Sequence, residues 1–376
     1  MLNKNIILKN FDLKKRLNKK FKISKILKKV LSEDNQILKS LGPSYKDSYN
    51  KKIIKKLKKN SQFRLIGMGG SILGSKAIYN FLSPKGKQFS FIDNLSNEFE
   101  EINSKKMVNV IISKSGNTLE TISNSNIFIS KNQSNFFITE NKKSYLMNLA
   151  NKLKAEIIHH NNFIGGRYSV LSEVGMLPAE LMGFKPSKFR KLNLLIKNKN
   201  FFNSLVINVA CMLELIYKNK KNSIILNYDQ KSNDLFSWYQ QLVAESLGKK
   251  SKGILPIVSN MPKDNHSLMQ YYLEGAKNHF FTFFFVKEKV KKKIKEVNLF
   301  KTHSYLKGKN LNDILYSQFN ATKMVFKKQN IPFRTFLIKK RNEEVLGELF
   351  TFFILETILL SKTINVNPFN QPSVEL

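Results

Sequence analysis

Cysteine is nearly absent from this sequence. The only thiol among its 376 residues is Cys211, which stands within the apolar run 205–215. A single thiol excludes a disulfide within the chain, and it leaves too few thiolates for the usual structural zinc sites. The disulfide framework of small secreted proteins is therefore excluded as well.

Long apolar runs without charges are also missing. One stretch of membrane-spanning length, residues 346–364, contains Glu348, Glu356 and Lys362, which are costly at the centre of a bilayer. We predict a largely buried helix there and no membrane partner. The first ten residues have no long apolar core and no small-residue cleavage site, so we expect no signal peptide and a cytoplasmic protein.

Acidic residues and arginine are scarce beside abundant lysine. The chain has 64 Lys and Arg against 27 Asp and Glu, a formal charge of +37, and only six arginines. Such a charge favours non-specific adhesion of nucleic acid at low salt. However, the planar guanidinium of arginine binds bases and phosphates better than the ammonium of lysine does. The lysines are also spread over the whole chain. We expect no dedicated nucleic-acid partner, and we attribute the lysines, as a hypothesis, to A/T-rich coding.

Length and pattern predict the architecture. A chain of 376 residues is long for a single core, and 42% hydrophobic residues are ample for burial. Strand-like and helix-like runs alternate, which is typical of the α/β class. We predict a helical segment over residues 1–60, a first α/β unit over 61–190, a second over 200–340, and a helix with an extended tail over 341–376.

The most informative stretch covers residues 108–121, with the sequence V-N-V-I-I-S-K-S-G-N-T-L-E-T. Its β-branched run predicts a buried parallel strand, and a helix is predicted from about Thr118. Between them, Ser113, Ser115 and Asn117 offer polar groups, while Gly116 permits a tight turn with free N–H groups. A helix N-terminus beside such a turn favours an anion, most often phosphate. An ordinary polar turn is the equally simple alternative.

An earlier strand-like run ends in a glycine turn, formed by Gly69 and Gly70 and followed by Ser71. This junction is similar to a dinucleotide fingerprint, but the position of the third glycine holds Ile72. Asp93 could still imitate the acid that binds a ribose. We interpret the turn as a second site for an anion or a sugar.

Another pair of glycines, Gly165 and Gly166, comes directly before Arg167. Two glycines let the backbone pass close to a ligand, and a fixed guanidinium could hold developing negative charge. A turn with a surface arginine is the simpler alternative. The scarcity of arginine in this chain weighs against it.

Three further candidates lie in two predicted helices of the second unit. Gln241 and Glu245 are four residues apart, so they share one face of the helix. A carboxylate on a mostly apolar helix is a candidate general base. His266 opens a later predicted helix, and histidine is the usual proton shuttle near neutral pH. Each residue alone is more often an ordinary surface side chain.

Six motifs follow one another from about residue 63 to the last residue. They are G-M-G-G-S-I-L-G, I-S-K-S-G-N-T-L-E-T, G-G-R-Y-S-V-L-S, Q-Q-L-V-A-E-S-L-G-K, K-D-N-H-S-L-M-Q and N-P-F-N-Q-P-S-V-E-L. Taken together and in this order, they closely resemble the motifs of the phosphoglucose isomerase family.

The resemblance implies two sugar isomerase (SIS) domains, each a parallel sheet flanked by helices, in a homodimer. It implies reversible isomerisation of glucose 6-phosphate and fructose 6-phosphate through a cis-enediol(ate), without metal or organic cofactor. Two alternatives remain: a catalytically silent SIS-type sugar-phosphate sensor, and an isomerase that also accepts mannose 6-phosphate. A sensor has no use for Glu245, Arg167 and His266 together, so the enzyme is favoured.

Site roles also follow from the resemblance, position by position. Glu245 matches the base that moves a proton between C2 and C1. Gly166 and Arg167 match substrate-binding residues beside the sugar C1–C2 region, where the guanidinium steadies the enediolate. His266 matches the ring-opening group, which in the family reaches in from the neighbouring subunit, and Glu120 matches the acid that orients it. The remaining substrate-binding positions are Gly70, Ser71, Ser113, the Lys114 backbone, Ser115, Thr118, Gln241 and Gln371, with the two glutamines assigned to the phosphate side.

The sequence departs from the family pattern at three places. The last family motif continues to a lysine three residues after Glu375, which assists ring opening, whereas this sequence ends at Leu376. Either the chain is cut short inside the motif, which we expect, or ring opening is impaired. Ser373 and Glu173 stand where the family has small residues, and we expect altered packing there without loss of chemistry.

Overall fold

A computed structural model describes residues 2–12, 17–96, 106–288 and 290–374. The continuation expected after Glu375 lies outside these residues. Ten strands are described: β1 Ile6–Lys9, β2 Gln62–Gly67, β3 Gln88–Ile92, β4 Val108–Ile112, β5 Ser134–Thr139, β6 Glu156–His159, β7 Asn222–Asn227, β8 Leu255–Asn260, β9 His279–Val286 and β10 Phe333–Ile338.

Fourteen α-helices are described in the same residues: α1 Leu17–Ser32, α2 Gln36–Ser40, α3 Lys51–Leu57, α4 Leu73–Leu82, α5 Leu119–Phe128, α6 Tyr145–Leu153, α7 Glu173–Leu181, α8 Pro186–Phe189, α9 Leu192–Lys197, α10 Lys199–Tyr217, α11 Asn233–Leu247, α12 Met269–Glu274, α13 Leu311–Lys328 and α14 Glu343–Thr363. Short 3₁₀ turns lie at Gly69–Ser71, Gly166–Leu171, Gln230–Ser232, Lys263–His266, Glu296–Asn298, Lys301–Leu306 and Pro372–Val374.

The first sheet is entirely parallel, with strand order β3-β2-β4-β5-β6. Every residue of β4 is buried, as the β-branched run predicts. The chain passes from β2 to β3 on one side and returns to β4 on the other, so the strand order reverses between β2 and β4. Ligands of open α/β sheets bind at such a reversal, beyond the carboxyl ends of the strands. The loops after Gly67 and Ile112, paired ends of β2 and β4, lie there.

The second sheet has the order β1-β10-β9-β7-β8, and β7, β8, β9 and β10 are parallel. The α/β class predicted from the sequence is thus confirmed. One detail is corrected: β1 pairs antiparallel with β10, Ile6 opposite Ile338, so the amino-terminal segment is not purely helical and the second sheet is not purely parallel. The run of β1 is only four residues long, and sequence periodicity does not distinguish so short a run from a helical turn.

The long helix predicted over residues 346–364 is confirmed as α14, which is buried over almost its whole length. Helix α11 packs against α14, against α4, which follows β2 of the first sheet, and against β8 of the second sheet. It therefore connects elements of the two sheets. Trp238 of α11 packs edge-on against Phe350 of α14, with ring centroids 4.8 Å apart. Tyr239 donates to Glu356 Oε1 over 2.9 Å, which fixes the rotation of α11 about its axis.

Among the described helices, α10 is long and apolar enough to cross a membrane by length and composition. More than half of its most apolar window is buried inside the molecule. It packs against α1 and α14. Burial of this kind is typical of a core helix.

Glu348 is a carboxyl group inside α14 that the site described below does not use. It is 4% exposed, and the Asn3 side chain donates to its Oε2. Oε1 has no hydrogen-bond partner among the described residues. Burial raises the pKa of Glu348 to about 8. The proton therefore stays on the folded protein at pH values where the unfolded chain has lost it.

Glu348→Gln is expected to stabilise the protein in mildly alkaline solution. Because the folded pKa lies above the unfolded value, the wild type loses stability as the pH rises from the unfolded pKa to about 8. A neutral amide does not ionise, so the variant does not lose this stability. We expect the wild type to lose about 2–4 kcal/mol of its free energy of unfolding in this way. Urea unfolding at about pH 5 and about pH 8.5 measures it, with exposed Glu344→Gln as the control. Parallel pH curves for wild type and Glu348→Gln would contradict the expectation.

Candidate active site

The loop after β4 has the form that the sequence predicts. Ser113 Oγ and Thr118 Oγ1 lie 2.9 Å apart across it. Gly116 has φ of +68°, and a Cβ there would lie 2.2 Å from Ser144 Oγ, so only glycine fits. Thr118 precedes α5, and its hydroxyl makes no capping bond to that helix. The loop therefore presents hydroxyl groups at a helix N-terminus, as an anion site requires.

Lys114 directs its side chain away from this loop. Its Nζ donates to the carbonyl of Asn162 over 2.8 Å and lies 3.4 Å from Glu140 Oε1. Ser115 is exposed, and its Oγ accepts a bond from the Asn117 N–H over 3.2 Å. The side-chain ammonium of Lys114 is thus committed to the neighbouring loop.

The two glycine turns meet each other. A Cβ on Gly70 would lie 2.2 Å from the carbonyl carbon of Gly166, and one on Gly69 would lie 2.8 Å from Gln241 Nε2. Ser169 Oγ donates to the carbonyl of Gly70 over 3.3 Å. The Gly69–Ser71 turn therefore touches both the arginine segment and α11.

Gly70→Ala is expected to lower activity about 100-fold while the chain still folds. The new methyl group would force the Gly70 and Gly166 backbones apart, and a displacement of about 1 Å at a reacting group can cost that much. The matched control is Gly165→Ala, because a Cβ there meets nothing within 4 Å. Equal activities of the two variants would contradict the tight contact.

Arg167 is buried at 3% exposure, and each of its three guanidinium nitrogens donates a hydrogen bond. Its Nε donates to Ser246 Oγ over 3.0 Å and its Nη1 to Glu245 Oε2 over 2.9 Å. Its Nη2 donates to the carbonyls of Pro368 and Asn370 over 2.7 and 3.1 Å. One guanidinium therefore joins the 3₁₀ turn, helix α11 and the carboxyl-terminal tail.

Glu245 is half-buried at the centre of this group. Gln241 Nε2 donates to its Oε1 over 2.8 Å, and Gln371 Nε2 donates to its Oε2 over 2.5 Å. Together with Arg167, three donors hold the carboxylate in one position. The resemblance assigns Gln241 and Gln371 to the phosphate side, whereas here both amides bond to Glu245. That Gln241 and Gln371 bind the phosphate stays a prediction.

Ring-opening candidates lie apart from this group. His266 is exposed at the end of the Lys263–His266 turn, and Glu120 lies in the first turn of α5. Among the described residues, neither has a hydrogen bond or ion pair with Arg167 or Glu245. That His266 acts in the neighbouring subunit's site stays a prediction.

Glu173 has a structural part that the sequence did not suggest. It is buried, its Oε2 accepts from the Tyr45 hydroxyl over 2.8 Å, and its Oε1 accepts from the Asn161 N–H over 2.7 Å. These bonds hold the loop that leads to Arg167. The altered packing expected at this position therefore includes specific polar contacts.

Sequence reasoning missed the groups that hold Arg167 and Glu245 in place. Tyr168 bonds to Ser246 Oγ and to the Pro368 carbonyl, at 2.8 and 3.0 Å. Lys249 Nζ donates to the carbonyls of Asn367 and Asn370, each over 2.6 Å. Lys249 is the last residue of the motif that contains Glu245 and lies four residues after it. This position was the only sequence signal we could have used to find it.

A cavity of about 510 Å³ opens beside the site. Its lining includes Lys114, Gly165, Tyr168 and Phe369. This volume is within the range of small-molecule pockets. In the residues that the structure describes, no group of three or more His, Cys, Asp or Glu side chains is arranged to hold a metal ion.

Two largely parallel sheets, a serine- and threonine-rich loop at a strand-order reversal, and a carboxylate fixed by an arginine are typical of a phosphosugar isomerase type of α/β protein. The sequence profile of the phosphoglucose isomerase family matches residues 48–376. The chain belongs to the phosphoglucose isomerase family. The resemblance found in the sequence is thereby confirmed, and so is the enzyme class.

Curated relatives agree with this assignment. The chain is 31% identical to the glucose-6-phosphate isomerase of Methanocaldococcus jannaschii over 329 residues, which cover 83% of this chain and 81% of that one. It is 30% identical to the glucose-6-phosphate isomerase of Mycoplasmopsis pulmonis, over 83% of this chain and 80% of that one.

Solved structures show the same fold. A hypothetical protein from Thermus thermophilus superposes with a TM-score of 0.81 at 23% identity, over 95% of this chain and 92% of that one. A glucose-6-phosphate isomerase from Chlamydia trachomatis superposes with a TM-score of 0.65 at 19% identity, over 86% of this chain and 69% of that one. The predicted α/β fold of parallel sheets flanked by helices is confirmed, apart from the antiparallel β1.

Proposed function

We propose that this chain interconverts glucose 6-phosphate and fructose 6-phosphate through a cis-enediol(ate), with Glu245 as the base. The observation that carries the proposal is the Glu245 carboxylate, 2.9 Å from the Arg167 guanidinium and bonded to Gln241, whose side chain lies against Gly69. Proton transfer between neighbouring carbons needs one base that reaches both, and the developing oxyanion needs a fixed cation.

The substrate phosphate binds at the loop after β4 in this proposal. Ser113, Ser115 and Thr118 supply hydroxyl groups, the Lys114 backbone lies alongside, and Ser71 adds a further hydroxyl. Phosphate is remote from the reacting carbons, so its binding energy can position C1 and C2 at Glu245. Gly70 and Gly166 let the backbone approach the sugar closely.

Ring opening is assigned to His266 of the partner subunit in a homodimer, with Glu120 orienting that histidine. The exposed position of His266 suits a group that acts across an interface. Each site is then built from two copies of the chain. We expect the enzyme to act in the cytoplasm, in glycolysis and gluconeogenesis.

A coupled assay tests the proposal. The purified chain is given fructose 6-phosphate and the glucose 6-phosphate formed is oxidised by a dehydrogenase, while calorimetry measures binding of the same sugar phosphate. We expect turnover, and a parallel assay with mannose 6-phosphate separates a strict isomerase from a dual one. Binding without turnover would overturn the proposal in favour of a sugar-phosphate sensor.

A further inference from the structure

A short piece of the carboxyl-terminal tail, residues 367–371, lies between two cations. On one side, Lys249 Nζ donates to the carbonyls of Asn367 and Asn370, each over 2.6 Å, and lies 3.1 Å from Asn370 Oδ1. On the other side, Arg167 Nη2 donates to the carbonyls of Pro368 and Asn370. The Asn370 carbonyl thus accepts from both cations.

Gln371, the residue after Asn370, bonds to the proposed base. Gln371 Nε2 donates to Glu245 Oε2 over 2.5 Å. Charge-assisted hydrogen bonds are roughly twice as strong as neutral ones, so the two cations fix the backbone from which the Gln371 side chain extends. The position of that amide therefore depends on the clamp before it.

The described residues show hydrogen bonds of the Lys249 side chain to this tail only. Among the described residues it forms no ion pair within 4.0 Å, and its ammonium donates to the tail only. Burial and repulsion from Arg167 lower the pKa of Lys249 to about 8, while Glu245 acts in the opposite direction. Carbonyl oxygens of the tail compensate an ammonium that is unfavourably placed.

We propose that Lys249 is a positioning residue for the isomerisation: it clamps residues 367–370 so that Gln371 and Arg167 hold the Glu245 carboxylate in its working position. The proposal rests on the proposed function for its kinetic part. Among the described residues, the Lys249 ammonium donates to the tail and not to Glu245. It acts through the tail.

Lys249→Met keeps the length of the side chain and removes the donors. We expect kcat to fall about 10- to 30-fold with little change in KM, because the base is misplaced while the phosphate loop is untouched. Lys249→Arg retains a charged donor and should recover most of the activity. The matched control is Lys252→Met, since Lys252 Nζ also donates to a backbone carbonyl of this region, that of Ile364 over 3.1 Å.

The pH dependence of kcat is a second measurement, and a purely structural role of Lys249 would not change it. The charged groups that face Lys249 are Arg167 and Glu245. As the pH rises through about 8, Lys249 loses its proton and the clamp weakens, so the wild-type kcat should fall on the alkaline side. Arginine stays charged there, and the fall should move to higher pH in Lys249→Arg.

Hydrogen–deuterium exchange of the tail tests the clamp without any substrate. A peptide that covers residues 364–371 should exchange at least several-fold faster in Lys249→Met than in wild type, Lys249→Arg and Lys252→Met. Unchanged exchange, or equal loosening in Lys252→Met, overturns the proposal. Faster exchange in a chain that shows no turnover even as wild type would support the clamp and refute the proposed function. Loosening without any change in kcat would refute the positioning role.

Discussion

Glu245→Gln is expected to lower kcat for fructose 6-phosphate by about 10²–10⁴-fold, the usual contribution of a general base. The amide has nearly the same shape, and its oxygen can still accept from Arg167. It cannot take a proton from carbon. Substrate binding through the loop after β4 should therefore change little, so the loss should appear in kcat and not in KM.

The coupled assay measures this loss, and calorimetry checks that the variant still binds the sugar phosphate. The matched control is Glu274→Gln, an exposed helical glutamate that bonds to Gln270. Its activity should equal that of the wild type. A Glu245→Gln variant that retains a tenth or more of the wild-type kcat would refute the assignment of the base.

Arg167→Lys is expected to lower kcat/KM by about 10²–10³-fold, as the loss of one oxyanion donor does. Three nitrogens of Arg167 serve Ser246, Glu245, Pro368 and Asn370, and a lysine ammonium cannot cover such a spread of acceptors. The substitution should thus weaken charge stabilisation and also release the tail.

Arg341→Lys is the appropriate comparison. Three nitrogens of Arg341 likewise donate to separate acceptors, the side chains of Glu288 and Asp229 and the carbonyl of Phe81, and none of these acceptors bonds to Glu245. This variant should lose stability in urea without loss of kcat. If both arginine variants lost activity equally, the loss would reflect general packing and not the proposed chemistry.

The sequence predicted those parts of the site that depend on local chain geometry. The loop from Ser113 to Thr118 lies where a buried strand gives way to a helix, and the structure forms that turn with Gly116 at positive φ. The form of this loop needs only neighbouring residues and the order of parallel strands. Gly70 and Gly166 were expected to let the backbone come close to a ligand, which stays a prediction; that they lie against each other was not predicted.

Contacts between distant parts of the chain were not predictable in this way. Gln371 and Glu245 are 126 positions apart, and the carbonyls that bind Arg167 and Lys249 are backbone groups with no signature in the sequence. The antiparallel pairing of β1 also depends on a strand that lies near the other end of the chain. Domain limits and the partner-subunit role of His266 stay predictions, since the latter depends on a second copy of the chain.

Isomerisation in D₂O, followed by NMR over many turnovers at equilibrium, tests the central claim that Glu245 carries the proton between C2 and C1. Because the protonated carboxyl exchanges with solvent in some of the turnovers, the account predicts that deuterium accumulates at C2 of glucose 6-phosphate and at one of the two C1 hydrogens of fructose 6-phosphate, since the carboxylate reaches one face of the enediolate. Glu245→Gln should show no exchange. Exchange at the wild-type rate in Glu245→Gln, or no deuterium in either sugar after many wild-type turnovers, would contradict the account.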